Sequence, residues 1–215
     1  MQVKSVSPWP GAIAVTGGIA SGKSRVARWL AQEYGLPLYD ADAEVRALLI
    51  HGAPGWQRLR VWLDQGYFGD DGSLLKGKLR QAIFADEALR LAVERDIHPL
   101  VLINLQTKIS EGRRPCIVEV PLLYEAQWQG HFDSVVVVYA DESICCQRLM
   151  ARDGLLEDQA MAAIRAQMPL VQKARWADYV VDNSGSWPET MAKIADIKML
   201  WCHNYGEKKL DSHIA

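Results

Sequence analysis

The sequence predicts an α/β protein in which a parallel β-sheet is covered by helices on both faces. Short apolar runs, of the kind that form buried parallel strands, alternate along the chain with segments of helical periodicity. A glycine-rich loop follows the first apolar run and opens the first helical segment. Alternating strands and helices are typical of a three-layer fold whose ligands bind at the carboxyl ends of the strands.

The first part of the chain is predicted to form a β-loop-α-β unit. Residues 12–15 are apolar and bounded by turn-forming residues, which indicates a short buried strand. Residues 24–34 have apolar side chains at helical spacing, and Gly35 ends that helix. Residues 38–39 form a second strand that leads directly into the Asp-Ala-Asp sequence at 40–42.

The middle of the chain is predicted to be helical. Residues 43–64 follow a helical pattern with one break, and a turn-rich stretch at 66–73 comes next. In residues 74–112 apolar side chains recur every three or four positions. We expect Pro99 to kink or restart this helix near His98, because proline lacks the backbone N–H that the helix needs.

The second half of the chain returns to the alternating pattern. Three further apolar runs predict strands at residues 116–120, 134–139 and 179–182. Between them, residues 143–152 are helical, with Asp141 as the candidate N-cap and Gly154 as the end. A polar helical stretch is predicted over residues 157–174.

The bulk composition limits the possible functions. The chain has 215 residues, 49% hydrophobic and 23% charged, which suits one globular domain that folds without a partner subunit, and a monomer is compatible with this. The net charge of −2 provides no basic field, so we do not expect nucleic-acid binding. No run approaches the roughly 18 apolar residues of a membrane span.

The cysteines and the first residues indicate the compartment. The four cysteines have no C-x-x-C spacing and are expected to be free thiols in a reducing cytosol: Cys116, Cys145, Cys146 and Cys202. The first eleven residues lack the basic and apolar pattern of a signal peptide. A cytoplasmic protein without membrane association is therefore expected.

The glycine-rich loop carries the strongest functional signal. It reads G-G-I-A-S-G-K-S and fits the phosphate-binding pattern G-x-x-x-x-G-K-[ST] in the required position between a strand and a helix; an ordinary glycine-rich loop is the alternative. Backbone N–H groups of such a loop surround a phosphate, Lys23 reaches the β- and γ-phosphates, and the Ser24 hydroxyl can hold Mg²⁺. The predicted nucleotide contacts in the loop are Gly17, Gly18, Ala20, Ser21, Gly22, Lys23 and Ser24.

A phosphate-binding loop does not by itself distinguish a kinase from a GTPase. The residues that could bind the phosphoryl acceptor are therefore needed to distinguish the two classes. Asp40 and Asp42 follow the second strand, where ligands of an open sheet bind. A carboxylate there can orient or deprotonate an acceptor hydroxyl. The alternative is capping of the next helix, and it is stronger for Asp40 than for Asp42.

Further polar residues favour an ATP-dependent kinase. Arg148 and Arg152 lie four positions apart on one helix face and could close over the transferring phosphoryl group; a solvated cation is the alternative for Arg152, next to Asp153. No D-x-x-G follows a strand, and the N-K-x-D guanine signature is missing. Asn183, after the last strand, could meet a purine edge through its amide.

Several motifs in this order resemble the dephospho-CoA kinase family. The specific ones are D-A-D at 40–42, I-H-P-L-V at 97–101 and P-L-L-Y-E at 121–125, and the match covers about residues 13–205. Shorter matches are Leu79-Arg80 with Ile83-Phe84, Gln167-Met168-Pro169, Ala177-Asp178 and Val181-Asp182-Asn183. The resemblance implies transfer of the γ-phosphoryl group of ATP to the ribose 3′-hydroxyl of dephospho-CoA, with Mg²⁺.

The resemblance also implies a domain plan and residue roles. One domain is expected over 11–205, with a nucleotide-binding core at 11–69, 113–149 and 176–205, a helical CoA subdomain at 70–112 and a lid at 150–175. Asp42 is the implied acceptor-side base, and Lys23 and Arg148 neutralise phosphate charge. The implied dephospho-CoA contacts are Asp40, Asp42, Arg80, His98, Leu122, Leu123 and Glu125.

Alternatives stay open at four of these positions and for the activity. Arg25 stands where the family usually has Thr or Ser, and it contacts either a nucleotide phosphate or solvent. His98 could simply cap or pack, Glu125 could be a solvated acid, and Glu119 could be a buried paired carboxylate or belong to the metal shell. The alternative activities are another small-molecule kinase, such as a nucleoside kinase, and a non-catalytic ATP-binding protein.

Overall fold

The computed structural model describes residues 9–112 and 115–195. Its sheet has five strands: β1 Trp9–Gly17, β2 Leu38–Asp40, β3 Cys116–Glu119, β4 Phe132–Tyr139 and β5 Tyr179–Asp182. Their order is β2-β3-β1-β4-β5, and β1 pairs in parallel with β3 and β4, as β4 does with β5. The predicted α/β class is confirmed.

The helices lie between the strands and in one long stretch after β2. They are α1 Lys23–Glu33, α2 Ala41–Leu48, α3 Pro54–Trp62, α4 Lys76–Ala85, α5 Glu87–Glu111, α6 Glu142–Asp153, α7 Glu157–Arg165 and α8 Leu170–Trp176. Residues 187–195 are also helical. Contacts divide the chain into a sheet unit, up to Tyr39 and from Gly112 onward, and a helical unit, Asp40–Glu111.

The core of the sheet unit is formed by its central strands and α1. Val15 on β1 and Val136 and Val138 on β4 are completely buried, as continuous apolar strands in a covered parallel sheet should be. Val26 and Leu30, four positions apart on α1, join the same cluster. Burial of each such side chain contributes about 1.5–3 kcal/mol, so this cluster fixes where β1 ends and α1 begins.

The helical unit is organised around α5, which contacts α2, α3 and α4. Ile97, Val101, Leu105 and Ile109 form a buried stripe at four-residue spacing along α5. This stripe begins before Pro99 and continues after it, and α5 is one helix of 25 residues. Of the two effects predicted for Pro99, a kink or a restart near His98, the restart is wrong, because packing on both sides of the proline outweighs the lost hydrogen bond.

The helical unit begins at Asp40, earlier than the boundary at residue 70 expected for a CoA subdomain. The reason is packing, since α2 and α3 contact α5 and so belong to the same compact unit. Its assignment to CoA binding stays a prediction.

The helices around the predicted lid partly follow the expected pattern. Gly154 ends α6 in the left-handed conformation, with φ 68°, as predicted. Asp141 occupies the N-cap position, but its carboxylate accepts a hydrogen bond from the Tyr139 hydroxyl at 3.1 Å and not from the helix backbone. The helix predicted over 157–174 is two helices, α7 and α8, with Pro169 at the N-cap position of α8.

Two expectations about the chain's environment have structural counterparts. Cys116, Cys145 and Cys146 are buried, Cys145 and Cys146 are free thiols, and Cys202 lies outside the described residues. Among the helices that the structure describes, none combines the length and hydropathy that a membrane span requires.

Candidate active site

The glycine-rich loop connects β1 to α1, in the predicted position. Gly22 precedes α1 with φ 93°, a left-handed conformation that suits glycine. A Cβ atom on Gly17 would lie 2.6 Å from the Val138 carbonyl oxygen, and one on Gly22 would lie 2.2 Å from the Asn183 amide nitrogen. The loop is therefore packed too tightly for side chains at these positions, and it opens onto the N-terminus of α1, where anions bind.

Ala20 is the one loop residue with a Cβ atom in the left-handed region, at φ 58°. This conformation disfavours an L-residue by about 1–2 kcal/mol, so the surrounding contacts hold the loop in shape. One such contact is the hydrogen bond from the Ile19 amide to the Gln167 side-chain oxygen, at 2.8 Å. The loop is thus held in its curved form by the protein itself.

Two cations converge beside the loop. The Lys23 ammonium group lies 3.4 Å from the Gly18 carbonyl oxygen, across the loop. Arg148 donates from Nη2 to the Asn183 carbonyl oxygen at 2.9 Å, whereas its buried Nη1 has no hydrogen-bond partner among the described residues. Burial raises the pKa of the Cys145 thiol, and the positive charges of Arg148 and Lys23 both act to lower it, so both cations lie within electrostatic range of Cys145. Paired cations at a phosphate loop suit a polyphosphate.

Ser24, the predicted metal ligand, donates a hydrogen bond to the Glu119 carboxylate. Glu119 ends β3 and is only 8% exposed. Glu119 is thus a buried carboxylate that is paired with the side chain proposed to hold Mg²⁺. A hydroxyl and a carboxylate are oxygen donors that Mg²⁺ accepts, usually together with substrate phosphates and water.

A cavity of about 230 Å³ lies in the sheet unit beside the loop. It is lined by Gly18, Ile19, Tyr139, Cys145, Arg165 and Gln167, among others. Desolvation is the main reason that the pKa of Tyr139 is raised, so its hydroxyl stays neutral. The cavity joins the phosphate loop to α6 and to α7, and α7 lies within the lid predicted at 150–175.

Asn183 has a different role from the predicted contact with a purine edge. Its amide nitrogen donates to the Ser21 carbonyl oxygen at 2.7 Å, and its amide oxygen accepts from the Thr190 hydroxyl at 2.9 Å. The residue is 6% exposed. Because both ends of the amide are bound inside the protein, Asn183 supports the phosphate loop from beneath, and the predicted purine contact is corrected.

Arg25 lies on the exposed side of the first turn of α1. Its guanidinium group sits over the Trp187 ring, 3.9 Å from the ring centroid. Stacking of this kind contributes about 0.5–1 kcal/mol at exposed sites. It links α1 to the segment after β5, an arrangement that neither alternative for Arg25 included.

Asp40 and Asp42 differ in their surroundings within the helical unit. Asp40 is the N-cap of α2, accepting from the Ala43 amide at 3.1 Å, and it also pairs with Arg46 at 3.0 Å. The capping alternative thus accounts for the Asp40 carboxylate. Asp42 lies exposed in the first turn of α2, two residues beyond the end of β2.

The other predicted contacts in the helical unit lie on separate helices. Arg80 is exposed on α4, and His98 is half-buried on α5. Burial lowers the pKa of His98, with a smaller opposite effect from Glu94, so the imidazole is held in its neutral form at neutral pH. Their contact with dephospho-CoA stays a prediction.

The predicted substrate contacts after β3 separate into three kinds of environment. Leu122 is 46% exposed, whereas Leu123 is fully buried. The role of Leu123 is therefore corrected from lining a substrate site to packing inside the sheet unit. Glu125 accepts from the Met168 amide at 3.1 Å and forms an ion pair with Lys173 at 2.7 Å, so it is not a solvated acid.

Two polar residues of the site escaped the sequence analysis. Gln167 was noted only as part of a family motif, and Lys173 fell unnamed within the polar helical stretch predicted over 157–174. The lysine lies one helical turn after Pro169 in a segment with several polar residues, so no pattern marked it as buried. An acid or lysine becomes informative only when its neighbours in space are known.

A parallel five-stranded sheet with a phosphate loop between β1 and α1, and with Lys23 and Arg148 beside that loop, defines a P-loop nucleotide-binding protein. A family model described as dephospho-CoA kinase matches residues 11–189. The chain belongs to the dephospho-CoA kinase family, and the expected enzyme class, a phosphotransferase, is confirmed.

Individual relatives agree with this family. The dephospho-CoA kinase of Carboxydothermus hydrogenoformans is 40% identical over 193 residues, covering 88% of this chain and 93% of the relative. The crystal structure of TT1252 from Thermus thermophilus is 30% identical, with a TM-score of 0.76, and the match covers 89% of this chain and 97% of that one. A dephospho-CoA kinase structure from Campylobacter jejuni, 20% identical with a TM-score of 0.64 and 91% and 98% coverage, supports the fold.

Proposed function

We propose that this enzyme transfers the γ-phosphoryl group of ATP to the ribose 3′-hydroxyl of dephospho-CoA, giving CoA and ADP. The observation that carries the proposal is the tightly packed loop at 17–24 with Lys23 and the unsatisfied guanidinium nitrogen of Arg148 beside it. Such a loop binds a polyphosphate, and family membership supports dephospho-CoA as the acceptor.

The phosphate loop and its two cations would act on the ATP side. Backbone N–H groups at the start of α1 bind the phosphates, and Lys23 neutralises charge on the β- and γ-phosphates. Arg148 keeps Nη2 on the Asn183 carbonyl oxygen and offers Nη1 to the transferring group. Lys23 is already held beside the loop and can stabilise the charge that develops during transfer without reorganising, whereas Arg148 must first expose its buried Nη1.

Magnesium is part of the proposal, and the residues present fit it. Ser24 and Glu119 would hold the ion, directly or through water, together with phosphate oxygens of ATP. When bound, Mg²⁺ neutralises phosphate charge. The described residues contain no cluster of three or more His, Cys, Asp or Glu side chains suited to a metal, which agrees with an ion held mainly by the nucleotide.

We assign the acceptor side to the helical unit and to the segment after β3. Asp42 is the proposed base, because its exposed side chain lies just beyond the carboxyl end of β2, where ligands of an open sheet bind. The proposed dephospho-CoA contacts are Arg80, His98 and Leu122, with Asp40 and Glu125 acting through their structural contacts. Residues 150–175 are the proposed lid.

We also propose a cytoplasmic location, which the buried free thiols of Cys145 and Cys146 support.

The test is an acceptor comparison with Mg-ATP, following ADP release in a coupled assay. We expect rapid turnover with dephospho-CoA and little with adenosine, and strong loss with dephospho-CoA in the Asp42→Asn variant. Turnover with a nucleoside but not with dephospho-CoA would instead establish the alternative kinase. Tight ATP binding without turnover on any acceptor would establish the non-catalytic alternative.

A further inference from the structure

Lys173 on α8 is completely buried, with no exposed side-chain surface. A lysine ammonium group is costly to remove from water unless it is paired. Here Nζ lies 2.7 Å from Oε1 of Glu125 and 3.5 Å from the Pro121 carbonyl oxygen. The charge is thus held by the segment that follows β3.

Contacts from this pair lead to the phosphate loop along the turn between α7 and α8. Oε1 of Glu125 also accepts a hydrogen bond from the Met168 amide. The preceding residue, Gln167, accepts from the Ile19 amide inside the phosphate loop. Lys173 and Glu125 therefore fix the short turn that carries the contact to the loop.

A second contact leads from the pair to the end of β1. The Pro121 carbonyl oxygen, near Lys173, accepts a hydrogen bond from the Thr16 hydroxyl at 3.2 Å. Thr16 is fully buried and directly precedes Gly17, where the loop begins. Both contacts converge on one stretch of backbone, residues 16–19.

We propose that Lys173 is a positioning residue for phosphoryl transfer, acting through its ion pair with Glu125. The pair aligns the phosphate loop with the segment 121–125, and neither side chain needs to touch the reacting atoms. This inference rests on the proposed function and deepens it. It also assigns Glu125 a role in orienting this segment, in place of direct contact with dephospho-CoA.

The pair also sets an inner limit for the proposed lid. Gln167 and Met168 are bonded to the phosphate loop and to Glu125, so the turn before α8 is a fixed end. The candidate lid is then the stretch between Gly154 and Ala166, which contains α7 and packs on α6 through the buried Ala160. The lid proposed at 150–175 thus narrows to this stretch.

A role limited to stability makes a different prediction. A buried ion pair can often be replaced by uncharged side chains without loss of stability, whereas removing one partner leaves a buried charge. The double variant Lys173→Met/Glu125→Gln removes both charges but leaves a side-chain oxygen for the Met168 amide. The double variant shows whether activity is lost through lower folding stability or through lost positioning. If Lys173→Met alone does not fold, the double variant is used for the test.

The experiment measures the melting temperature, ADP affinity by calorimetry, and kcat and KM for each substrate in the two single variants and the double variant. We expect kcat/KM for dephospho-CoA to fall about tenfold to a hundredfold in Lys173→Met, with weaker ADP binding, because small displacements of a positioned group reduce the rate strongly. In the double variant the melting temperature recovers while kcat/KM stays low. Lys193→Met, which breaks the exposed pair with Asp182, is the control and should match the unmodified enzyme.

Recovery of kcat/KM together with the melting temperature in the double variant would overturn the proposal, as would unchanged kcat/KM in Lys173→Met. The result is distinct from failure of the proposed function. If the unmodified enzyme made no CoA, ADP affinity would still test whether the pair orients the phosphate loop, and unchanged affinity in every variant would reject that role.

Discussion

The phosphate site and the acceptor residues are held in different ways. In the sheet unit the site residues are bound to buried partners, as in the contacts of Asn183 with Ser21 and of Lys173 with Glu125. In the helical unit, Asp42 and Arg80 lie on exposed helix surfaces. Exposed polar residues contribute little to stability, so changes at Asp42 and Arg80 should act mainly on activity. Changes beneath the phosphate loop should affect activity and folding together.

The largest loss of activity is expected for Lys23→Ala. Removal of a cation from a phosphoryl-transfer site lowers turnover by about 10³-fold or more, because charge in the transition state is no longer neutralised. The melting temperature should change little, since Lys23 is not among the buried residues. Single-turnover kinetics would measure this, with the exposed Arg28→Ala on the same helix as the control; turnover within tenfold of normal would reject the assigned role.

The two acidic residues after β2 give the sharpest comparison within the helical unit. Asp42→Asn should reduce kcat by about 10²- to 10⁴-fold, because a general base is lost, and should lower stability by only about 0.3–1 kcal/mol, because a negative charge leaves the first turn of α2. Asp40→Ala should instead cost about 1 kcal/mol of unfolding free energy, since the cap of α2 is lost.

Steady-state kinetics and urea denaturation of both variants check this pair of predictions. The opposite pattern, with Asp40→Ala inactive and Asp42→Asn merely less stable, would exchange the two assignments.

Asn183→Ala should affect stability and nucleotide binding together. It leaves the buried Ser21 carbonyl oxygen without its partner and removes one of the two acceptors of the Thr190 hydroxyl, at a cost of about 1–3 kcal/mol. We expect a lower melting temperature and weaker ADP binding, measured by calorimetry. Thr190→Val removes only the contact farther from the loop and should lower stability with less effect on ADP affinity; equal losses of ADP affinity would argue against support of the loop by Asn183.

The smallest effect is expected from His98. Burial lowers its pKa below the ordinary value of 6.5, so below that value the unfolded chain binds more protons than the folded one. Its contribution to stability is complete above 6.5 and is lost as the pH falls toward the lowered pKa. Urea denaturation at about pH 7.5 and about pH 5.5 should show less acid destabilisation in His98→Gln than in the unmodified enzyme. His131, whose pKa is also lowered by burial, should still make the unfolding free energy of the His98→Gln variant depend on pH.

What the sequence could predict follows the same division. The phosphate loop is a contiguous motif, and its strand and helix are set by local apolar patterns. The sequence therefore predicts the position of Lys23 and Ser24 at the start of α1, and their roles stay predictions. The roles of Asn183, Leu123 and Lys173 depend on burial and on partners far along the chain. Local sequence patterns do not report burial or distant partners. For the same reason Pro99 could not indicate the packing that keeps α5 continuous.

The central claim is phosphorylation of dephospho-CoA at the ribose 3′ position. The most direct measurement is to incubate the enzyme with Mg-ATP and dephospho-CoA and to identify the product by mass spectrometry and phosphorus NMR. We expect CoA with a new 3′-phosphomonoester, formed in step with ADP. ADP formed without any phosphorylated CoA product, or a phosphate at another position, would contradict it.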